Sequence, residues 1–219
     1  MEMKIDINEY QVSVILTLFN SKNFYRRAVE SLFNQIYKDF ELIIVDDGSI
    51  DYTESDLFPF LKENQNVKYI RHSNRKHPLS LNTGLKCSSG KYITFLDSDD
   101  EYEPEHLQER INFLSEHPET DFIHSPVNVI GNEEDHYVPD ADDLTRMIHL
   151  DECLIGGTFF GKRNVFEELG GFRNVYSHDY DFYKRILAAG KYNISKLDSR
   201  TYIYYRSNPG SITKSLIEI

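Results

Sequence analysis

The chain has 219 residues and a mass of 25.7 kDa, enough for one domain with a full apolar core and no disulfide or metal staple. Hydrophobic residues make up 40% and charged residues 27%, the proportions of a soluble globular protein. A net charge of -12 speaks against a non-specific nucleic-acid binder and against docking on an anionic membrane by bulk charge, but leaves anionic small molecules open.

In chain order, strand and helix signals alternate. Residues 12–18 form a β-branched and leucine run that reads as a buried strand. Ser21 is the expected cap of a helix whose apolar face holds Tyr25, Ala28, Val29, Leu32 and Ile36. Residues 41–45 form a second buried strand, closed by Asp46-Asp47-Gly48-Ser49. Asp51 with Glu54 three residues on has the capping-box spacing of another helix start. A short strand over 67–70 follows, then a helix opened by Pro78 and running to Cys87. Residues 92–96 form a fourth strand, ending in Asp97-Ser98-Asp99-Asp100, and Pro104 opens a helix with Leu107, Ile111 and Leu114 on one face.

This alternation predicts parallel strands with right-handed crossovers, a three-layer α/β/α sandwich around a mostly parallel sheet. Ligands in such folds sit outside the carboxyl ends of the strands, where both acidic clusters fall. Past Pro118 the pattern loosens. Residues 121–130 suit an edge strand, 132–143 read as an acidic loop, and 156–161 form an apolar stretch bracketed by glycines. A short helix over 163–169 stops at Gly170-Gly171, an amphipathic one over 179–189 stops at Gly190, and 201–205 is aromatic and β-prone. No repeat or linker divides the chain. One domain over 1–219 is expected, its pattern changing at about residue 118.

Cys87 and Cys153 are far apart and form no Cys-x-x-Cys pair, so a thiolate zinc site is excluded and two free thiols of a reducing cytosol are expected. The first ten residues lack an apolar leader, and no apolar run approaches the ~20 residues of a membrane span.

Three clusters have residue types suited to chemistry. Asp97-Ser98-Asp99-Asp100 packs carboxylates that repel one another unless a cation, strong hydrogen bonds or exposure relieves them. It could aim them at Mg²⁺ or Mn²⁺, or be an acidic turn before a helix. Asp46 and Asp47 could face a base, a ribose, a metal or a phosphoryl group, or serve a turn. Asp179 and Asp181 open a helix, where the dipole favours a carboxylate and a rigid element can hold a general base.

Taken in order, these blocks resemble the inverting nucleotide-sugar glycosyltransferases of family 2, with the GT-A fold. The resemblance rests on Val12 through Asn20; Glu41-Leu42-Ile43-Ile44-Val45-Asp46-Asp47-Gly48-Ser49; Asn82-Thr83-Gly84; Gly90 through Asp100; Gly156 through Gly161; Leu169-Gly170-Gly171-Phe172; and Asp179-Tyr180-Asp181-Phe182. It implies that Thr17 and Asn20, with Asp46 or Asp47, line the base pocket. Arg71 faces base or pyrophosphate unless it is a plain exposed charge, and Asp97 meets ribose or sugar hydroxyls. Asp99 would ligate Mg²⁺ or Mn²⁺, with Asn208 near the position of a family histidine, and Asp179 would be the base that deprotonates the acceptor. The resemblance also implies a nucleotide-binding half to about residue 118 and an acceptor-binding half after it, where Gly156, Gly157, Thr158 and His178 would fall on the acceptor side.

His178 stands where the family usually has Glu, and the Asn74 to His77 stretch lacks the family's glycine, leaving a basic Arg75-Lys76-His77 cluster. The implied donor is a UDP-sugar, and the acceptor a saccharide or lipid-linked saccharide in cell-surface polysaccharide or lipopolysaccharide synthesis. The implied location is cytoplasmic, with peripheral contact at the membrane's inner face through the acceptor. Two other readings compete. A non-catalytic binding module of the same fold is favoured by His178 and Asn208 and opposed by Asp97, Asp99 and Asp179 together. A phosphoryl-transfer enzyme with Asp46 or Asp47 as nucleophile is opposed by a first strand that ends in Thr17-Leu18-Phe19-Asn20, without an Asp.

Overall fold

The computed structural model describes residues 10–206. The strands are β1 (Val12–Leu18), β2 (Phe40–Asp46), β3 (Val67–Arg71), β4 (Tyr92–Asp97), β5 (Glu101–Tyr102), β6 (Phe122–His124), β7 (Asn128–Ile130), β8 (Tyr137–Pro139), β9 (Met147–His149), β10 (Phe160–Lys162), β11 (Ile194–Lys196) and β12 (Tyr202–Tyr205). The helices are α1 (Tyr25–Phe33), α2 (Thr53–Glu63), α3 (His77–Cys87), α4 (His106–Glu116), α5 (Arg163–Glu168) and α6 (His178–Ala189).

A seven-stranded sheet runs β11-β6-β10-β4-β1-β2-β3, and within it β10 is antiparallel to both its neighbours. The strands β4, β1, β2 and β3 are mutually parallel, as the crossovers require. β1 and β2 are buried along their whole length, so their residues divide between two faces with period two. Val12, Val14, Leu16 and Leu18 pack with Ala28 and Leu32 of α1, Leu57 of α2 and Leu107 of α4. Ile15, Ile43 and Phe95 pack on the other face with Leu81 of α3, Phe166 of α5 and Phe182 of α6. This is the expected three-layer sandwich.

Several local expectations are corrected. α1 starts at Tyr25, and the Ser21 hydroxyl turns to the Phe19 backbone and to Ser98 instead of capping the helix. Ile36 lies beyond the end of α1 and is 56% exposed, and Leu187 points outward from α6. The Asp51 carboxylate does hold Thr53 at the start of α2, but Glu54 reaches across to Arg71 instead of closing a capping box. The acidic stretch after Gly131 is ordered: a 3-10 turn (Glu133–His136) leads into β8, which pairs with β9.

At the amino-terminal edge of the sheet, Glu41 is 1% exposed. Its Oε1 accepts from the Ser13 hydroxyl at 2.6 Å, the Ser89 hydroxyl at 2.8 Å and the Gly90 N–H at 3.2 Å, while Lys68 pairs with Oε2 at 2.7 Å. Burial disfavours the charge, but Lys68, Ser13 and Ser89 outweigh it and hold the carboxyl below its usual range. Its contribution to stability is therefore complete above the unfolded value near ~4.3 and is lost as pH falls through the folded one. Glu41→Leu strands these donors and should cost about 3–5 kcal/mol. The drop in melting temperature would be roughly 6–15 °C in a scan at neutral pH. A change below about 2 °C would show the network to be dispensable.

Candidate active site

The carboxyl ends of the central strands form one row. Thr17 of β1 lies opposite Asp97 of β4 and Val45 of β2, and Asp46 lies opposite Leu18 and Arg71. Thr17 is nearly buried, whereas Asn20 is exposed and adopts a left-handed conformation (φ 53°). The Asn20 N–H donates to Ser49 at 2.9 Å, and its side chain accepts from the Ile50 N–H at 2.9 Å.

The two carboxylates after β2 turn inward. Asp46 is fully buried, accepting from the Ser49 N–H at 2.7 Å and the Tyr69 hydroxyl at 2.7 Å. Asp47 is 3% exposed and accepts the N–H groups of Arg75 (2.6 Å) and Lys76 (3.0 Å). Both hold loops at the rim, a poor arrangement for a phosphoryl-accepting nucleophile. Arg71 is bound to Glu54 at 2.7 Å and to the Ser49 carbonyl at 2.6 Å, with Asp46 at 3.7 Å.

The turn after β4 divides its acids between two jobs. Asp100 is fully buried, accepting the Tyr202 hydroxyl at 2.7 Å and the Tyr205 N–H at 2.9 Å. Burial, with Asp97 and Asp99 nearby, pushes its carboxyl well above the carboxylate range. Asp97 and Asp99 stay half-buried. The Tyr202 hydroxyl lies 3.3 Å from Asp97 Oδ2, and His77 Nε2 lies 3.3 Å from Asp97 Oδ1. Burial opposes the Asp97 charge, but His77, His178 and Tyr202 outweigh it and lower the carboxyl's proton affinity. Arg27 of α1 donates to the Asp99 carbonyl, pairs with Glu101 at 2.9 Å and stacks on the Tyr205 ring at 3.5 Å, so it fixes the turn from the other side.

Asp179 sits in the first turn of α6. Its Oδ2 accepts the Gly156 N–H at 3.2 Å, and its Oδ1 accepts the Ser177 hydroxyl at 3.1 Å and the Tyr180 N–H at 2.8 Å. Three donors fix its orientation on a rigid element. Gly156 lines this contact, but Gly157 and Thr158 lie beneath it. A Cβ on Gly157 would stand 2.3 Å from the Tyr202 ring and hydroxyl. The Thr158 hydroxyl is spent on the Ile155 carbonyl at 2.8 Å, in a fully buried side chain. Both residues are buried, Gly157 against Tyr202 and Thr158 against its own turn. Asn208 lies outside the described residues.

His77 and Tyr202 were not singled out as site residues in the sequence. His77 entered only as part of a basic cluster and Tyr202 only as one of many aromatics. Burial works against a charge on His77, but Asp97, Asp179 and Asp99 raise its proton affinity. His178, 5.1 Å away ring to ring, is lowered by burial and by His77. Burial and Asp179 push the Cys153 thiol up to about 12, which disfavours the thiolate.

The profile of Glycosyl transferase family 2 matches residues 13–170, more than half of the chain. The chain belongs to glycosyl transferase family 2. Among family relatives, an uncharacterised glycosyltransferase of Rickettsia prowazekii is 29% identical over 193 residues, which is 83% of this chain and 60% of that protein. Glycosyltransferase GlyA of Streptococcus pneumoniae is 34% identical over 98 residues, covering 45% of this chain and 14% of that one. The chain thus spans about three fifths of the first relative and about one seventh of the second. The fold matches S. aureus TarS 1-349 in complex with UDP-GlcNAc, with a TM-score of 0.74 at 21% identity, over 94% of this chain and 61% of that one. It also matches the mannosyltransferase PcManGT of Pyrobaculum calidifontis in complex with GDP-Man and Mn²⁺, with a TM-score of 0.71 at 17% identity, over 96% and 60%. The family profile stops short of Asp179.

Among the described residues no three His, Cys, Asp or Glu side chains converge into a ready-made metal cage, and no helix is long and apolar enough to cross a membrane. The donors at the end of β4 are carboxylate oxygens, which suit a hard divalent ion that takes further oxygens from a diphosphate.

Proposed function

We propose that this family 2 chain transfers a sugar from a nucleotide sugar, a UDP-sugar first, to an acceptor hydroxyl with inversion at the anomeric carbon. The observation that carries this reading is a chain of contacts between the two halves of the site: the strand-end carboxylate Asp97 lies against His77, the His77 ring meets His178, and His178 immediately precedes Asp179 at the start of α6. Thr17 and the rim held by Asp46, Asp47, Asn20 and Arg71 would form the base side, and Asp97 would take ribose or sugar hydroxyls. Asp99, with Asp97 beside it, would hold Mg²⁺ or Mn²⁺, which when bound neutralises diphosphate charge as it departs. Asp179 accepts the acceptor's proton, and the hydroxyl attacks from the face away from the nucleotide, so no enzyme nucleophile is needed. A carboxylate-lined site on a chain of net charge -12 suits a pyrophosphate only with such an ion in place. The structurally similar TarS and PcManGT are complexes with UDP-GlcNAc and GDP-Man, so both donor bases belong in the test. The proposed acceptor is a saccharide, free or lipid-linked, in surface polysaccharide assembly, met at the inner face of a membrane.

The test is a panel of UDP-, GDP- and TDP-sugars with Mg²⁺ or Mn²⁺, read by nucleoside-diphosphate release and by melting temperature. The right donor at a hundredfold excess over Kd should stabilise by about 2.7 kcal/mol, raising the melting temperature by roughly 5–10 °C. Chelating the metal should remove most of that shift and stop release. Release that persists in excess chelator would refute the metal assignment. No release or shift with any donor would refute the transferase reading.

A further inference from the structure

We propose that His77 is a positioning residue of the transfer site: it holds the donor-side carboxylate Asp97 and the first turn of the base-bearing helix α6 in one fixed arrangement. The inference rests on the transferase reading above and goes beyond it by giving a role to a residue outside the carboxylate set.

His77 opens α3, and its ring touches both sides of the site. Nε2 lies 3.3 Å from Asp97 Oδ1 at the end of β4. The ring meets His178 edge-on at 5.1 Å and 75°, and His178 meets Phe172 edge-on at 5.6 Å. His178 immediately precedes Asp179, so the His77 ring packs against the turn that carries the proposed base.

The rest of α3 is clamped to the segment leading into α6. Asn82 donates from Nδ2 to the Phe172 carbonyl at 2.7 Å and accepts the Phe172 N–H at Oδ1 at 2.8 Å. Gly171 makes this possible, since its φ is +69° and a Cβ there would sit 2.2 Å from Asn82 Oδ1. The chain also enters each histidine through a non-glycine residue at positive φ, Lys76 at 77° and Ser177 at 48°. Such conformations persist where the surroundings over-determine them, and they gather at functional sites. His77 Nε2 is shielded from solvent yet not aligned as a hydrogen bond to Asp97. A contact of this kind tightens when a substrate is seated.

The experiment compares His77→Ala, His77→Gln and His77→Asn in the full chain by steady-state transfer kinetics, nucleoside-diphosphate titration and melting temperature. The Gln amide nitrogen reaches the position of Nε2, whereas the Asn amide nitrogen reaches only that of Nδ1. His77→Ala should lower kcat by about tenfold or more and weaken nucleoside-diphosphate affinity in the presence of metal by more than about threefold, because Asp97 is a donor-side group. His77→Gln, which keeps the reach to Asp97 but loses the ring against His178, should recover part of kcat and His77→Asn should not. If His77→Ala does not fold, the Gln and Asn pair decides. Wild-type kcat in His77→Ala, or equal activity in the Gln and Asn variants, overturns the proposal while leaving the transferase reading intact. A wild type that transfers no sugar takes both down together.

Discussion

Asp179→Asn should lower kcat by about two to four orders of magnitude, the range for loss of a general base. The substitution keeps the size of the side chain and one acceptor oxygen, which can still serve the Tyr180 N–H or the Gly156 N–H. It cannot accept a proton from the acceptor. The mismatch at the second donor should cost only about 1 kcal/mol of stability, so the melting temperature should move by a few degrees at most. Nucleoside-diphosphate affinity should stay within about threefold, because the base acts on the acceptor and not on the donor's binding groups. The decisive measurement is single-turnover transfer alongside a donor titration. Full transfer activity in this variant would refute the mechanism, and lost donor binding would reassign Asp179 to the donor side.

Gly157→Ala should damage the site without touching any residue that meets substrate. The added Cβ would fall 2.3 Å from Cζ and from the hydroxyl of Tyr202, a distance no rotamer can absorb because Tyr202 is fully buried. Either the segment before β10 lifts or Tyr202 swings away from Asp100 and Asp97. The second outcome strips the buried Asp100 carboxyl of its hydroxyl partner. The two costs, overpacking and a buried polar group left unmet, sum to about 3–5 kcal/mol, or roughly 6–15 °C in melting temperature. Asp97 and Asp99 sit in the same turn as Asp100, so donor affinity in the presence of metal should fall as well. A Gly157→Ala protein with wild-type melting temperature and donor affinity would show that Tyr202 does not organise the turn. Tyr202→Phe separates the two costs, because it removes the hydroxyl and leaves the packing.

Most of the sandwich could be read from local pattern. The β1 and β2 runs are apolar on both faces because helices cover both, and that needs only composition and length to recognise. The acidic turns after β2 and β4 stand out because clustered carboxylates repel one another and because they lie at the strand ends where such sheets bind ligands. What those turns do was less legible. Asp46, Asp47 and Asp100 spend their oxygens inside the protein, while Asp97 and Asp99 keep some exposure. Nothing in the string Asp97-Ser98-Asp99-Asp100 says which acid turns inward. That depends on Tyr202, more than a hundred residues later. The missing glycine before His77 was visible, and the structure gives it meaning: Lys76 takes the positive φ that glycine would tolerate, held through its N–H by Asp47.

By itself the sequence determined the layered fold, the polarity of the sheet and the end of it that carries the carboxylates. Those follow from periodicity and from chain connectivity, which act over a few residues at a time. The tertiary structure decided the partnerships: His77 with Asp97 and His178, Tyr202 with Asp100, Gly156 with Asp179, and Gly157 as the space that Tyr202 fills. Each joins elements brought together only when β4, β10, β12, α3 and α6 pack around one core. A hydrogen bond of 2.7 Å is set by that packing, and no local preference encodes it.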